Sequence, residues 1–291
     1  MQCRKQGLNK SKLSIAIPAS IISDTPHLRE KTSKMGLIAR TATIFRVQNI
    51  IIYPDNARVN QTHDINFIAK ILNYIETPQY LRKNLYKIEP DLQYAGILPP
   101  LRAPHHPTSG KNRDLKVGEY REGIVLNQSK EGLIVDIGVQ NTALLREKQF
   151  SVGERLTVQV IKNGNTIEVQ AVNRDDVASY WGFQVKIEDK TFGNMLKTEQ
   201  FDLIISTARI ADCFIDIANK IFQCWNKAEH VLVAFGAPTR GLHEIAKEEG
   251  LHLEDISNFV VNTVPKQGTA TVRTEEAILI SLALFNVHFN M

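Results

Sequence analysis

The sequence predicts an α/β protein interrupted by a small β-barrel, and three observations carry that expectation. Short apolar strand-like runs alternate with helix-period segments over residues 13 to about 100 and again after Asp176, the punctuation of βαβ units. Between them, residues 123–172 hold closely spaced β-rich runs separated by Gly, Asn, Ser and Lys turns, as in a small closed barrel. The run Leu98-Pro99-Pro100-Leu101-Arg102-Ala103-Pro104-His105-His106-Pro107 carries too many prolines for a helix or a central strand and marks a junction. The expected organisation is one discontinuous α/β domain over 1–104 and 177–291, with the barrel inserted over 105–176.

Each element has a local reason. Leu13 to Ile17 reads as a first strand, Leu28 to Phe45 as a helix, and Asn49 to Tyr53 as a buried strand ended by Pro54 and Asp55. Ile65, Ile68, Ala69, Leu72 and Ile75 recur at helical spacing behind Asp64, the expected N-cap, and Pro78 sets the stop. A shorter helix is expected over Gln79 to Ile88, with Leu81, Leu85 and Ile88 on one side and Arg82, Lys83 and Lys87 elsewhere. The barrel strands are read at 123–126, 133–137, 143–145, 156–161 and 166–172. Strands then return at 203–206, 231–235 and 259–261. Ala277 to Phe289 is apolar nearly all round, which reads as a buried helix shorter than the roughly 20 residues of a membrane span.

Composition narrows the function classes. In 291 residues, 43% hydrophobic and 23% charged exclude a wholly disordered, collagen-like or membrane-embedded chain. Cys3, Cys213 and Cys224 form no CxxC pair, so a reducing, cytoplasmic setting is expected and a zinc ribbon is not. Arg4, Lys5, Lys10 and Lys12 ahead of Leu13 to Ile22 mimic a signal peptide, but Pro18 breaks the run and no small-residue cleavage site follows. A basic leader and a first strand fit better.

The net charge of +4 is permissive of a nucleic-acid partner, and its distribution says more. Residues 1–34 carry seven Lys or Arg against two acids, and residues 79–121 carry eight against four. The barrel region 122–176 has six basic and eight acidic residues, so it is not a basic cradle. Phosphate contacts are expected from the leader, from the helix bearing Arg82 and Lys83, and from Arg102, Lys111 and Arg113 at the junction. Solvated helix faces are the bland alternative.

Phosphate-loop, dinucleotide and nucleophile-elbow glycine motifs are absent from the sequence. His105 and His106 are adjacent and lack a third ligand at metal spacing, so no metal site is expected and they read as surface or hinge residues, with RNA contact as the minor alternative. Open α/β sheets bind ligands beyond the carboxyl ends of their strands. Three late turns stand there: Ser206-Thr207-Ala208-Arg209, Gly236-Ala237-Pro238-Thr239-Arg240-Gly241 and Asn262-Thr263-Val264-Pro265-Lys266-Gln267-Gly268-Thr269. Small residues there let a ligand approach backbone donors and acceptors.

Together these turns resemble the SPOUT class of RNA methyltransferases. Leu37-Ile38-Ala39-Arg40-Thr41-Ala42, Thr77-Pro78-Gln79-Tyr80-Leu81-Arg82, Gly96-Ile97-Leu98-Pro99-Pro100-Leu101, Pro104-His105-His106-Pro107 and Val272-Arg273-Thr274-Glu275-Glu276-Ala277 are similar to its archaeal and eukaryotic subgroup with an inserted OB-like domain. The resemblance implies a deep trefoil (α/β) knot, S-adenosyl-L-methionine as cofactor, RNA, ribosomal RNA above all, as substrate with uridine N3 as target, and a homodimer. It carries cofactor contacts to Thr207, Gly236, Gly241, Asn262, Val264, Pro265 and Gly268, and a catalytic role beside the acceptor to Arg40. Ribose 2′-O methylation and a noncatalytic RNA-binding or assembly protein are the alternatives. Two departures stand out: Ala237 replaces an expected second glycine, and Pro265-Lys266-Gln267-Gly268 stands where relatives tend to have Pro-Gly-Gln. For Thr274, an N-cap role with Glu275 and Glu276 in the first turn is expected, a catalytic carboxylate being the minor alternative.

Overall fold

The structure is a computed structural model that describes residues 11–198 and 200–289. Arg4, Lys5 and Lys10 of the basic leader, and Cys3, lie outside those residues. The chain forms two compact units, one comprising residues up to Asn73, Tyr94–Pro99 and Phe183 onward, the other Tyr74–Gln93 and Pro100–Gly182.

The first unit is built on β1 (Lys12–Pro18), β2 (Asn49–Tyr53), β8 (Gln184–Ile187), β9 (Leu203–Cys213), β10 (His230–Ala234) and β11 (Phe259–Asn262), in the order β11-β9-β10-β1-β2-β8. Every pairing is parallel. A parallel sheet needs cover on both faces, and accordingly Ile15, Ile17, Ile50, Ile52 and Val233 are as buried as their neighbours Ala16, Leu232 and Ala234. The helices are α1 (Leu28–Ile44), most of α2 (Thr62–Glu76), α4 (Phe192–Thr198), α5 (Phe214–Trp225), α6 (Leu242–Glu248), α7 (Leu253–Ile256) and α8 (Thr274–Phe289). Asp64 sits in the first turn of α2 rather than capping it, because the helix begins two residues earlier, where the Asn60 side chain accepts from the Thr62 N–H at 3.0 Å. Thr274 likewise begins α8 instead of capping it; Glu276 reaches back to the Arg273 N–H at 2.9 Å and does the capping. α8 buries one stripe only: Ile278, Leu282, Phe285 and Phe289 are inside, while Val287 is 74% exposed.

The second unit contains a closed barrel of β3 (Tyr120–Gln128), β4 (Leu133–Asp136), β5 (Ala143–Leu145), β6 (Arg155–Lys162) and β7 (Ile167–Ala171), ordered β3-β4-β5-β7-β6. Alternate residues Leu133 and Val135, Leu156, Val158 and Val160, and Ile167 and Val169 fill the interior, the period of two that a barrel wall imposes. α3 (Gln79–Leu85) is shorter than the sequence predicts, since Ile88 is fully exposed and gains no burial from continuing the helix.

This unit takes in residues 74–93, ahead of the 105–176 span expected from composition. The reason is chemical: Glu76 is a buried counterion for barrel residues. Its carboxylate lies 2.7 Å from the Arg155 guanidinium, 2.6 Å from that of Arg174 and 3.2 Å from His105 Nε2. Arg155 also meets Glu122 at 2.6 Å, and Glu122 accepts from Thr157 at 2.7 Å and from the Trp181 indole. Burial alone would raise the Glu76 pKa, but Arg155, His105 and Arg174 hold the carboxyl well below the usual range. His105 is fully buried, which corrects its reading as a surface or hinge residue. His106, half-buried, donates from Nε2 to the Glu76 carbonyl at 2.7 Å; burial, then the neighbouring His105, lowers its pKa from 6.5 to about 4.

Candidate functional site

The ends of β9, β10 and β11 meet at one pocket of about 300 Å³ in the first unit. Thr207, Gly236, Gly241, Asn262 and Val264 line it; Pro265 and Gly268 do not. The first of the three turns is not a loop, because β9 continues through it to Cys213. Its pairing with β11 nevertheless jumps: Val260 faces Ser206, and Val261 faces Asp212. Thr207 to Ala211 are therefore bulged out of the β11 register, which turns Thr207, Ala208, Arg209 and Ile210 to the pocket. No periodicity signal distinguishes such an excursion from a loop.

The pocket walls are tied together by backbone-directed bonds. The Thr207 hydroxyl donates to the Ala234 carbonyl at 3.0 Å, the Thr274 hydroxyl to the Gly236 carbonyl at 2.9 Å, and the Asn262 amide to the Arg209 carbonyl at 2.8 Å. Arg209 donates in turn to the Ala270 carbonyl at 3.1 Å, which joins the β9 bulge to the chain after β11. Gly236 packs so closely that an added Cβ would stand 3.0 Å from the Leu242 nitrogen and 3.1 Å from the Gly241 Cα. Only glycine leaves that turn undisturbed. Ala237 is compatible with the turn, closing it through its N–H to the Arg240 carbonyl at 2.9 Å. Lys266 holds a left-handed φ of 56°, a conformation that glycine adopts without penalty.

Arg40 lies half-buried on α1 and is not part of the pocket lining. Glu275 is committed elsewhere: it is buried, with its carboxylate 3.4 Å from the buried Lys34 ammonium, which also contacts Asp24 at 2.6 Å and donates to the Ile21 carbonyl at 3.1 Å. Lys34 is thus withdrawn from the basic leader as a phosphate ligand. Sequence reasoning also missed Arg240, which lines the pocket while bonding to the buried Asp55; only the arginine in a glycine-bounded turn hinted at it.

The proposed RNA contacts divide. Lys83, Arg102, Lys111 and Arg113 are exposed. Arg82 instead donates to the Thr77 and Ile75 carbonyls at 2.9 and 3.0 Å and lies over the Tyr74 ring at 4.6 Å. Its guanidinium closes the carboxyl end of α2, which leaves it little capacity for phosphate. Among the described residues no cluster of three His, Cys, Asp or Glu side chains could hold a metal ion, and no helix is long and apolar enough to cross a membrane.

A parallel sheet whose adjoining carboxyl-end turns line a pocket, together with a barrel unit, defines an α/β protein with a ligand-sized site at its strand ends. The chain belongs to the RNA methyltransferase family: the family model described as "Putative RNA methyltransferase" matches residues 12–285. It is 31% identical to a Drosophila melanogaster 28S rRNA (uridine-N(3))-methyltransferase over 94% of this chain and 62% of that protein. A Mus musculus protein of the same name is 32% identical over 93% of this chain and 75% of its own length. An uncharacterized protein of Halobacterium salinarum is 32% identical, covering 92% of this chain and 96% of its own length. The chain spans less than two thirds of the insect relative's length.

Proposed function

We propose that this protein is a SPOUT-class methyltransferase that uses S-adenosyl-L-methionine to methylate N3 of a uridine in ribosomal RNA. The observation that carries the reading is the convergence of the β9, β10 and β11 ends on one pocket within a chain that matches the family almost end to end. The pocket fits such a cofactor: its volume is at the low end of small-molecule sites, and Gly236 and the backbone-tied turn admit close approach to an adenosine edge. Thr207, Gly236, Gly241, Asn262 and Val264 would hold it, with Pro265 and Gly268 on the outer part of the third turn. Bound there, the cofactor supplies a methyl group already activated on a sulfonium. The chain's own residues then need to orient the base, exclude water and assist loss of the N3 proton. Arg40 is assigned to the acceptor side, where a guanidinium stabilises negative charge developing on the base.

The strand order and the parallel β5–β7 pairing support an OB-like reading of the barrel. The resemblance adds the knotted threading of the last strands and the discontinuous domain organisation. A homodimer belongs to the same reading, supported by the apolar side chains Ile210, Ile215 and Val287, which are 72–77% exposed on β9, α5 and α8. Exposed Lys83, Arg102, Lys111 and Arg113 are assigned to RNA phosphate, in a cytoplasmic setting consistent with the sparse cysteines.

Mass spectrometry of nucleosides from rRNA treated with the protein and labelled cofactor tests the proposal. Labelled 3-methyluridine is the expected product. A label on ribose would redirect the reading to 2′-O transfer. RNA binding without cofactor binding would favour a noncatalytic assembly protein.

A further inference from the structure

On the reading that the pocket takes S-adenosyl-L-methionine, we infer that Arg240 and Asp55 form a positioning pair that sets the cofactor-facing turn 236–241. Asp55 follows β2 and its side chain is wholly buried. Four donors saturate its carboxylate: the Ser20 N–H at 2.9 Å, the Ser20 hydroxyl at 2.6 Å, the Gln61 amide at 2.8 Å and Arg240 at 2.8 Å. Gln61 is itself fixed, accepting from the Asp55 and Asn56 N–H groups at 3.0 Å. The acid is therefore a rigid post, and Arg240 is its counterion.

Arg240 brings that post to the pocket. One guanidinium nitrogen binds both the Asp55 carboxylate and the Asp55 carbonyl, the latter at 3.0 Å, while the other meets Glu248 of α6 at 2.8 Å. Its own carbonyl accepts from the Ala237 N–H at 2.9 Å, so the residue that grips Asp55 also closes the turn. A second tie holds the start of the turn, where the buried Tyr53 hydroxyl donates to the Phe235 carbonyl at 2.6 Å. Ser20, Asp55 and Arg240 follow β1, β2 and β10, which are adjacent in the sheet. One carboxylate thus straps three neighbouring strand ends, and the pocket wall inherits its geometry from that strap.

A planar fork is needed to span Asp55 and Glu248 together, and a lysine ammonium cannot reproduce it. Arg240→Lys and Asp55→Asn are each expected to weaken cofactor binding, measured by isothermal titration, by about tenfold or more. The double variant should lose little beyond either single one, because both break the same contact. Arg155→Met, which disrupts a buried pair in the barrel, serves as a stability control expected to lower the melting temperature without changing cofactor affinity. The unliganded protein gives a second readout: amide hydrogen exchange at 237–241 should accelerate in Arg240→Lys. Unchanged exchange there overturns the strap whether or not cofactor binds. Accelerated exchange with unchanged cofactor affinity in both single variants overturns its link to the site. Accelerated exchange in Arg240→Lys, together with a wild-type protein that binds no cofactor, retains the strap and removes the cofactor reading on which its role was placed.

Discussion

The barrel unit and the sheet unit differ in where their polar groups gather. In the barrel unit, the buried Glu76 and Glu122 are met by Arg155, Arg174 and His105 in one connected network. In the sheet unit the core cluster is apolar, the buried acids Asp55 and Glu275 are met by Arg240 and Lys34, and other polar groups collect where the strands end, as backbone carbonyls and short side chains around a pocket. The difference teaches which changes cost folding and which cost binding. A buried ion lattice tolerates no missing partner, whereas a pocket lined by backbone is sensitive to shape.

The largest expected effect breaks the lattice. Glu76→Ala removes the carboxylate partner of Arg174 and one of the two carboxylate partners of Arg155, and should cost the barrel unit about 3–5 kcal/mol. Denaturant unfolding followed through Trp181, with Trp225 replaced by Phe, measures it; a loss below about 1 kcal/mol would put the network on the footing of a surface pair. Gly182→Ala tests the same lattice from outside. Gly182 has φ +85°, and its Cβ would stand 2.5 Å from His105 and 2.7 Å from the Glu76 carboxylate, so a loss of roughly 1–3 kcal/mol is expected in the same assay.

In the sheet unit, Gly236→Ala should lower the melting temperature less than Glu76→Ala does and weaken S-adenosyl-L-methionine about tenfold by titration. Wild-type affinity in that variant would show that the turn yields freely. Arg40→Ala is expected to abolish methyl transfer with cofactor affinity retained, and unchanged turnover would remove Arg40 from the reaction.

Acid should weaken the barrel unit more gently. Glu76 has a lowered folded pKa, so its contribution is complete above the unfolded value near 4.5 and is lost as pH falls below it. His106, lowered from 6.5 to about 4, is neutral in the folded protein; the unfolded chain takes up its proton first, so stability also declines as pH falls from 6.5 toward 4. Both signs agree, and barrel melting should fall with acidification across that range. His106→Gln should flatten the upper part of the slope. The smallest effect is Lys266→Gly, which relieves a left-handed residue and should change stability by no more than about 1 kcal/mol in its favour.

Much of this was legible in the chain. The strand β2 is an unbroken apolar pentapeptide ended by Pro54, the barrel strands alternate in and out, and turn glycines such as Gly236 announce close approach. Local periodicity and steric rules act within a few residues, so a sequence displays them. It could also draw Gly236, Gly241, Asn262 and Val264 to the ends of late strands, although it took the bulged part of β9 that carries Thr207 for a loop. What the tertiary structure alone decided was the pairing of charges distant in sequence. Glu76 with Arg155 and Arg174, Asp55 with Arg240, and Lys34 with Glu275 all read as ordinary surface charges until folding buries one beside the other. Burial raises the cost of an unpaired ion from negligible to several kcal/mol, about 3–5 when a partner is lost, and that cost depends on three-dimensional proximity that no local pattern encodes.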